Sequence, residues 1–316
     1  MILVTGATGF VGGALVRRLA ADPSFHGVVV TVRRKVESLP QGVQQVLVDD
    51  LLPATDWRIA LQGVDAVVHC AARVHVMHDD VTEPLQAYRE VNVSGTLNLA
   101  RQAANAGVRR FVFVSSIKVN GEATQPSHAF TADDVPAPLD PYGVSKLEAE
   151  QGLREIEAQT GMEVVIVRPP LVYGPGVKAN FASLMRWVAR GTPLPLGAIQ
   201  NARSIVALDN LVDLLVTCVK HPAAAGQIFL VSDGEDVSTT ELLRRTAQAM
   251  GKKAFLLPMP AFVLEWGAAL LGKRAVAQRL CGSLQLDINK TRQLLDWTPP
   301  VSLDEGLRRA AEGFSQ

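Results

Sequence analysis

The sequence predicts an α/β protein with a Rossmann-type, doubly wound parallel sheet and a smaller, mostly helical C-terminal lobe. In the first half, short apolar runs rich in β-branched residues alternate with helical patterns, and a glycine-rich loop directly follows the first run. This alternation decays after about residue 170. Apolar runs without polar alternation are typical of strands buried on both faces of a parallel sheet.

Six apolar runs are predicted to be strands: Ile2–Thr5, Val28–Val32, Gln45–Val48, Ala66–Cys70, Phe111–Ser115 and Val164–Val167. Helices are predicted between them at Val11–Ala21, Leu85–Ala106 and Tyr142–Thr160. Gly161 follows the last helix, where a residue that tolerates positive φ is favoured. In a doubly wound sheet the ligand lies beyond the carboxyl ends of the strands, and we expect the site there.

The C-terminal part has a different pattern. Proline and glycine cluster at Arg168–Gly176 and Gly191–Gly197, after which helical patterns predominate. Two helices are predicted to begin with capping boxes, Ser238–Glu241 and Ser302–Glu305. This composition favours a separate lobe.

The length of 316 residues fits two domains of ordinary size. We predict a first domain over residues 1–168 and a lobe over residues 169–316. Ile228–Val231 is predicted to be a further strand, so part of 204–232 is expected to return to the first domain.

Composition and charge exclude some functional classes. Lys and Arg number 31, as do Asp and Glu, so the formal net charge is zero. Proteins that bind nucleic acid by neutralising its phosphates carry a cationic excess, and we therefore expect no nucleic-acid partner. Hydrophobic residues make up 48% and charged residues 20%, which excludes a disordered chain.

Cysteines and apolar stretches bear on location. Cys70, Cys218 and Cys281 lie far apart and form no disulfide framework, which fits a reducing compartment. The N-terminal residues read as a strand rather than a signal peptide. The longest apolar stretch, Leu256–Leu271, is interrupted by two prolines and a glutamate and is shorter than the roughly 20 residues of a membrane span. We expect a cytoplasmic protein with no membrane span.

A glycine-rich loop follows the first predicted strand. Gly6, Gly9 and Gly12 have the spacing GxxGxxG, and an apolar helical pattern follows. A dinucleotide site needs a tight turn, a backbone that approaches the pyrophosphate and a helix close to the strand, and glycines serve these needs. The amides at the helix N-terminus then meet the phosphate charge. The loop predicts a dinucleotide cofactor; the alternative is a glycine turn without a ligand.

The end of the second strand bears on which dinucleotide binds. A carboxylate there binds the ribose 2′-hydroxyl of NAD, whereas an arginine suits the 2′-phosphate of NADP. This strand ends at Arg33, Arg34 and Lys35 without an acid. We therefore expect NADP(H) to be preferred, with NAD(H) possible; the alternative is a solvated basic turn. Asp50 and Leu51, after the third strand, are expected beside the adenine.

Three polar residues are predicted to meet at the carboxyl edge of the sheet. Ser116 follows the fifth strand, while Tyr142 and Lys146 are four residues apart and share a helix face. A phenol has a pKa of about 10 and is a poor base near neutral pH unless a cation stabilises the phenolate. Lys146 can supply that cation and also donate to the nicotinamide ribose. Ser116 can hydrogen-bond a substrate oxygen that gains negative charge.

With these motifs the sequence resembles the extended short-chain dehydrogenase/reductases, the NAD(P)-dependent epimerase/dehydratase family that acts on nucleotide sugars. The resemblance covers essentially the whole chain. It implies that Ser116, Tyr142 and Lys146 form the catalytic triad. It also implies a homodimer, because members often pair through the helices that here are Leu85–Ala106 and Tyr142–Thr160.

The resemblance implies further contacts. Phe10 and Val11 would give backbone amides to the pyrophosphate, and Asn92 would support the active-site helix. The other implied cofactor contacts are Cys70, Ala71, Ala72, Asn92 and Pro169. The implied contacts with a UDP-sugar, besides Ser116, are Arg73, Asn180, Leu196, Arg203 and Arg279.

Departures from the family pattern favour one activity. Dehydratases follow the catalytic hydroxyl with an Asp-Glu pair that moves protons, whereas Ile117 and Lys118 stand here. Galactose-type epimerases tend to carry Tyr at the position of Asn120 and Asn at that of Leu171. With the basic strand end, these differences favour a 4-keto-sugar reductase.

We therefore predict NADPH-dependent reduction of the 4-keto group of a UDP-4-keto-6-deoxy-N-acetylhexosamine, giving a quinovosamine- or fucosamine-type sugar for surface polysaccharide such as O-antigen. The runs Ser115–Glu122 and Arg168–Gly174 resemble those of UDP-N-acetylquinovosamine dehydrogenases. One alternative is a UDP-hexose 4-epimerase with tightly bound NAD. Another is a non-catalytic NADP(H)-binding sensor or assembly protein.

Two remaining features have competing interpretations. His75 and His78 have the HxxH spacing of a metal pair, but the spacing supplies no third ligand, so we predict a loop over the cofactor or sugar and no metal. The apolar stretch Phe262–Leu271 is compatible with a lid or a membrane-surface helix. We predict instead a core or lobe-packing helix.

Overall fold

A seven-stranded parallel sheet positions the site. The computed structural model describes residues 1–74, 83–125, 128–270, 272 and 274–314. The strands in these ranges are β1 (Ile2–Thr5), β2 (Val28–Val32), β3 (Val43–Leu47), β4 (Ala66–His69), β5 (Arg110–Val114), β6 (Glu163–Arg168), β7 (Leu171–Tyr173), β8 (Arg203–Ala207), β9 (Ile228–Leu230) and β10 (Asp236–Val237).

The helices flank this sheet or build the C-terminal part. They are α1 (Phe10–Ala20), α2 (Pro84–Tyr88), α3 (Thr96–Asn105), α4 (Pro141–Thr160), α5 (Ala179–Ala189), α6 (Leu208–Lys220), α7 (Thr239–Ala249), α8 (Ala261–Leu270), α9 (Arg274–Cys281), α10 (Asn289–Leu295) and α11 (Leu303–Phe314). A π-helical segment covers Arg89–Gly95, and short 3₁₀ turns cover Ile117–Val119 and Pro222–Ala224.

The strand order of the main sheet is β3-β2-β1-β4-β5-β6-β9, with every pair parallel. The order reverses between β1 and β4, where Thr5 is paired with His69. A crevice for a ligand forms beyond the carboxyl ends of the strands at such a switch point. The predicted doubly wound fold is confirmed, and the strands β1, β2 and β4 are buried throughout.

The strand predicted at Ile228–Val231 is confirmed as β9, which pairs with β6 at the edge of the main sheet. Between these two strands the chain builds β7 and β8 of a second sheet, which has the order β10-β8-β7. This small sheet was not predicted: β7 lies in the proline- and glycine-rich segment Arg168–Gly176, and helical patterns were expected to predominate beyond it. The domain boundary at residue 168 stays a prediction.

The predicted single helix Leu85–Ala106 is instead divided into α2, the π-helical segment and α3. Gly95, at the end of the π-helical segment, packs against the loop after β3, where a Cβ would lie 2.6 Å from the carbonyl oxygen of Leu51. Segments of this kind often occur at functional sites. Here the segment carries Asn92 to the loop that follows β4.

The prediction of a core or lobe-packing helix at Phe262–Leu271 is confirmed only in part, because the helix packs on the lobe but does not lie in its core. No residue of α8 is fully buried, although Ala261 and Leu264 pack against an apolar cluster that includes Val188 and Leu243. Apart from the exposed Glu265 the helix is apolar all round, so its sequence has no polar stripe to mark the face that meets solvent.

Arg110 ties the two halves of the chain together. Its side chain is 1% exposed and forms an ion pair with Glu163. Its Nη1 donates to three backbone carbonyl oxygens at the end of α6, those of Cys218 (2.9 Å), Val219 (3.1 Å) and His221 (2.7 Å). These carbonyls have no partner within the helix, so Arg110 satisfies the helix terminus and joins α6 to β5.

Replacing Arg110 by Met is expected to lower the free energy of unfolding by about 3–5 kcal/mol, because buried carbonyls and a carboxylate lose their cation. The matched control is Arg109→Met, since Arg109 is half-exposed and contacts the same Glu163. That control is expected to cost about 1 kcal/mol or less. Urea denaturation measures both, and equal losses would show that burial of Arg110 contributes nothing.

Candidate active site

The glycine loop has the geometry that a dinucleotide needs. Gly6 has φ +69°, and a Cβ on Gly12 would lie 2.2 Å from the carbonyl oxygen of Gly6. Both positions therefore require glycine. Gly9 is the N-cap of α1, and among the described residues no side chain caps this helix and its first turn has no acid. The amides of this turn, including those of Phe10 and Val11, can meet a phosphate.

A cleft of about 730 Å³ opens above this loop. Its lining includes Thr5, Gly6, Gly9, Arg33, Asp50, Leu51, Trp57, Cys70, Ala71, Ala72 and Arg73. Half of the predicted cofactor contacts thus lie together around one cleft. The indole N–H of Trp57 is buried without a partner among the described residues. The loop, the helix terminus and this cleft fit a dinucleotide.

The basic end of β2 borders the same cleft. Arg33, Arg34 and Lys35 line a neighbouring pocket of about 650 Å³ with Thr8. The Arg33 side chain is 75% exposed, and its Nη1 lies 3.4 Å from the carboxylate of Asp50. An ion pair this exposed is weak. The guanidinium is therefore free to turn toward a ligand in the pocket.

Lys146 is a buried cation at the carboxyl end of β5. Its Nζ donates to the carbonyl oxygen of Val114 at 2.9 Å and lies 4.3 Å from the ring centroid of Phe113. The distance from Nζ to the ring centroid of Tyr142 is 6.0 Å. Burial lowers the pKa of Lys146 to about 8, and the charge of Glu150 partly opposes this effect.

Tyr142 lies in the first turn of α4, half-buried. Its ring packs edge-on against Tyr88 with centroids 5.9 Å apart. Burial raises the pKa of Tyr142 well above its usual value, and the nearby Asp140 and Tyr88 add to this effect. Asp140 caps α4 by accepting from the amide of Gly143 at 2.6 Å, and it also forms an ion pair with Lys118.

Ser116 lies in a turn that is fixed to the end of β6. The Ser115 amide donates to the carbonyl of Val167 at 2.8 Å, and the Ile117 amide donates to that of Pro169 at 3.0 Å. The Ser116 hydroxyl accepts from the amide of Lys118 at 3.3 Å. Pro169, predicted as a cofactor contact, thus holds this turn through its backbone.

A buried polar network anchors α4 beneath these residues. Glu150 accepts from the hydroxyl of Ser115 and from Nε and Nη2 of Arg168, the latter at 3.0 and 2.6 Å. Arg168 Nη1 donates to Asn120 at 2.9 Å, and Asn120 donates to the carbonyl of Thr131 at 2.9 Å. The Glu150 and Arg168 side chains are 4% and 2% exposed.

Asn92 holds the loop after β4 against α4. Its side-chain oxygen accepts from the Arg73 amide at 2.8 Å, and its nitrogen donates to the Arg73 carbonyl at 3.0 Å and to the Ser145 hydroxyl at 3.1 Å. The Ser145 hydroxyl in turn donates to the carbonyl of Tyr142 at 2.8 Å. These contacts agree with the support of the active-site helix that the resemblance implied.

The C-terminal residues predicted to contact a UDP-sugar lie in a different environment. Nη1 of Arg203 donates to the carbonyls of Arg279 and Gly282, both at 2.9 Å, and burial lowers its pKa. Leu196 is buried, and its carbonyl accepts from Thr240 at 2.6 Å. The Arg279 side chain is exposed. The side chain of Asn180 and the His75–His78 pair lie outside the described residues.

Sequence reasoning missed the buried residues that support the site. Glu150 follows Lys146 by four residues on the same helix face, so the spacing could have indicated it. His69 is completely buried between the hydroxyls of Thr5 and Thr96, and burial together with Lys146 lowers its pKa to about 3. Its burial depends on two distant segments, which no local pattern reveals.

Comparison with known proteins agrees with this geometry. Residues 2–232 match the model of the NAD dependent epimerase/dehydratase family. The chain belongs to this family. The part that matches covers the glycine loop, the main sheet and the residues Ser116, Tyr142 and Lys146.

Relatives within the epimerase/dehydratase family bear on activity. The chain is 50% identical over its whole length to a Vibrio cholerae protein named UDP-glucose 4-epimerase and covers 95% of it. An Escherichia coli O157:H7 protein named N-acetyl-alpha-D-glucosaminyl-diphospho-ditrans,octacis-undecaprenol 4-epimerase is 28% identical over 98% of the chain and 94% of its own length. The prediction of a 4-keto-sugar reductase is wrong, because the Vibrio cholerae relative, at 50% identity over the whole chain, is named a 4-epimerase.

A solved structure agrees with the fold of this family member. MoeE5 in complex with UDP-glucuronic acid and NAD is 27% identical, with a TM-score of 0.77 over 99% of this chain and 98% of that one.

In the parts of the chain that are described, no helix is long and apolar enough to cross a membrane.

Glu150→Gln is expected to move the alkaline limb of the pH–rate profile to lower pH. The negative charge of Glu150 raises the pKa of Lys146, so without it Lys146 loses its proton, and its stabilisation of a phenolate, at a lower pH. The variant is also expected to lose about 3–5 kcal/mol of stability, because Arg168 keeps a buried charge without its partner.

Glu148→Gln on the same helix is the matched control, because Glu148 is partly exposed and pairs with Arg89 at the surface. It is expected to leave the pH profile unchanged. Profiles of kcat/KM for the wild type and both variants test this. An alkaline limb that stays in place in Glu150→Gln would contradict the electrostatic role of Glu150.

Proposed function

We propose that this protein is an NAD-dependent 4-epimerase that interconverts UDP-hexoses such as UDP-glucose and UDP-galactose. The observation that carries the proposal is the buried Lys146 beneath Tyr142 on α4, beside the turn that holds Ser116. The Vibrio cholerae relative, which is 50% identical over the whole length of this chain, supports the epimerase over other activities of the family.

The glycine loop of Gly6, Gly9 and Gly12 would hold the pyrophosphate at the start of α1, with Asp50 and Leu51 beside the adenosine. When bound, NAD supplies a hydride acceptor that can return the hydride to the opposite face of the same sugar carbon. Because such a cofactor is regenerated in each cycle, the site has no need to exchange it.

The chain's own residues would move the proton. Tyr142 as phenolate would take the proton from the 4-hydroxyl of the sugar, and the same phenol would later return it. Lys146 would stabilise the phenolate, because the hydrogen bond from its ammonium to the carbonyl of Val114 keeps this charge buried near Tyr142. Ser116 would donate a hydrogen bond to the sugar oxygen while charge develops on it.

The departures that favoured a reductase carry less weight once the side chains are examined. Asn120 is 2% exposed and its amide is used by Arg168 and Thr131, so it supports the scaffold. Leu171 begins β7 and pairs with Ile205 in the small sheet. A residue difference at such a structural position reflects how the side chains pack, and it does not indicate which sugar the protein binds.

A second candidate substrate is a sugar carried on a polyprenyl diphosphate. The Escherichia coli relative is named for such a substrate. The helix α8, which has exposed apolar side chains, comes just before α9 in the chain, and the carbonyl of Arg279 near the end of α9 accepts from Arg203. Turnover of a polyprenyl-diphosphate N-acetylglucosamine without turnover of UDP-glucose would favour this candidate. The cytoplasmic location and the homodimer stay predictions.

Tyr142→Phe is expected to lower kcat for UDP-glucose and UDP-galactose interconversion by about 100- to 10,000-fold, because the proton carrier is removed. Binding of NAD is expected to persist, because the glycine loop is unchanged. Tyr88→Phe is the matched control, since Tyr88 is a buried phenol that packs on Tyr142, and it should keep most of the activity. A wild-type protein that binds NAD but epimerises no sugar would favour the non-catalytic alternative.

Arg33→Asp is expected to weaken NADP(H) binding by about tenfold or more, because the guanidinium near Asp50 is the group that can pair with a 2′-phosphate. NAD(H) binding should change much less. Calorimetric titration with both cofactors tests this. Equal changes for both would mean that the basic end of β2 is only a solvated turn.

A further inference from the structure

The helix α8 presents a row of large apolar side chains to solvent. Phe262, Trp266 and Leu270 follow one another at intervals of four residues, and they are 71%, 74% and 75% exposed. This spacing places them on one face of the helix. Isolated apolar residues at a surface are ordinary, but a whole helical face of large ones marks a docking surface.

The opposite side of α8 is attached to the protein. Ala261 and Leu264 pack against the apolar cluster that contains Val188 and Leu243. In the extended segment before α8, Phe255 and Leu257 are 59% and 53% exposed, while their backbones pair with Leu194. The exposed face is therefore held by a fixed framework.

The sequence that includes α8 is rich in cationic residues. Between Gly251 and Cys281 the sequence has five Lys and Arg residues and one acid, Glu265, although the whole chain has a net charge of zero. Lys252 and Lys253 precede the apolar segment and are exposed. Three more cationic residues follow α8 in the sequence: Lys273, Arg274 and Arg279.

We propose that α8 and the segment before it dock the protein on the surface of an anionic lipid bilayer. At ten residues, α8 is about 15 Å long and would lie in the plane of the interface. Trp266 and Phe262 would enter the boundary of the acyl chains, where aromatic side chains are favoured. The neighbouring lysines would meet lipid phosphates, and each such charge adds to binding.

A bilayer fits better than a second copy of the chain. Two copies meeting through this face would bring their two cationic segments together, and like charges oppose that contact. An anionic surface is complementary to the same charges. This inference stands apart from the sugar chemistry, because it involves none of the residues at the carboxyl edge of the main sheet.

The test uses flotation of the full chain with vesicles of equal parts phosphatidylglycerol and phosphatidylethanolamine, and with vesicles of phosphatidylcholine alone. The wild type is expected to float with the anionic vesicles only, and to be released at about 1 M salt, where the Debye length is about 3 Å. Phe262→Ser/Trp266→Ser is expected to lower the bound fraction about tenfold or more.

The matched control is Ile59→Ser/Val135→Ser, which removes two apolar side chains that are 71% and 86% exposed elsewhere. It should bind like the wild type, and unaltered thermal unfolding of both variants verifies their fold. The proposal is overturned if the wild type does not bind anionic vesicles, or if Phe262→Ser/Trp266→Ser binds equally well. It is also overturned if the wild type is a dimer without lipid and this variant is a monomer.

Discussion

Burial of the Lys146 ammonium is the constraint on which the arrangement of the site depends. A charge this deeply buried needs compensation: Lys146 donates to the carbonyl of Val114, and the negative charge of Glu150, one turn further along α4, acts on it without direct contact. Glu150 is itself buried and needs Arg168, which extends the network to Asn120. The register of α4 against β5 and β6 follows from these partners, and with it the position of Tyr142.

The same burial sets the acid–base properties of the site. It lowers the pKa of Lys146 to about 8 and raises that of Tyr142, so near neutral pH Lys146 is still mostly an ammonium while Tyr142 is a neutral phenol before a cofactor and sugar are bound. Catalysis requires a phenolate beside this ammonium. The ammonium, whose Nζ lies 6.0 Å from the ring centroid of Tyr142, favours the phenolate, and this coupling makes the pair suited to moving a proton in both directions, as an epimerase must.

Much of the fold could be predicted because its signals are local. The apolar strands, the glycine loop and the Tyr142–Lys146 spacing each follow from a few neighbouring residues. The predictions failed where an outcome depended on distant contacts. Asn120 is a departure from the pattern of the galactose-type epimerases, yet its side chain binds Arg168 in the buried network. The exposure of α8 depends on what the rest of the lobe covers, and a helix with Glu265 as its one charged residue gives little sign of that.

In the proposed epimerase, hydride leaves and returns to the same sugar within one site organised by Tyr142 and Lys146. UDP-glucose that carries deuterium at C4, incubated with the NAD-loaded protein and an excess of unlabelled free NAD, reports where the hydride goes. We expect UDP-galactose that retains the deuterium at C4, with none in the free cofactor. Deuterium in released NADH, with ordinary hydrogen at C4 of the product, would rule out this mechanism.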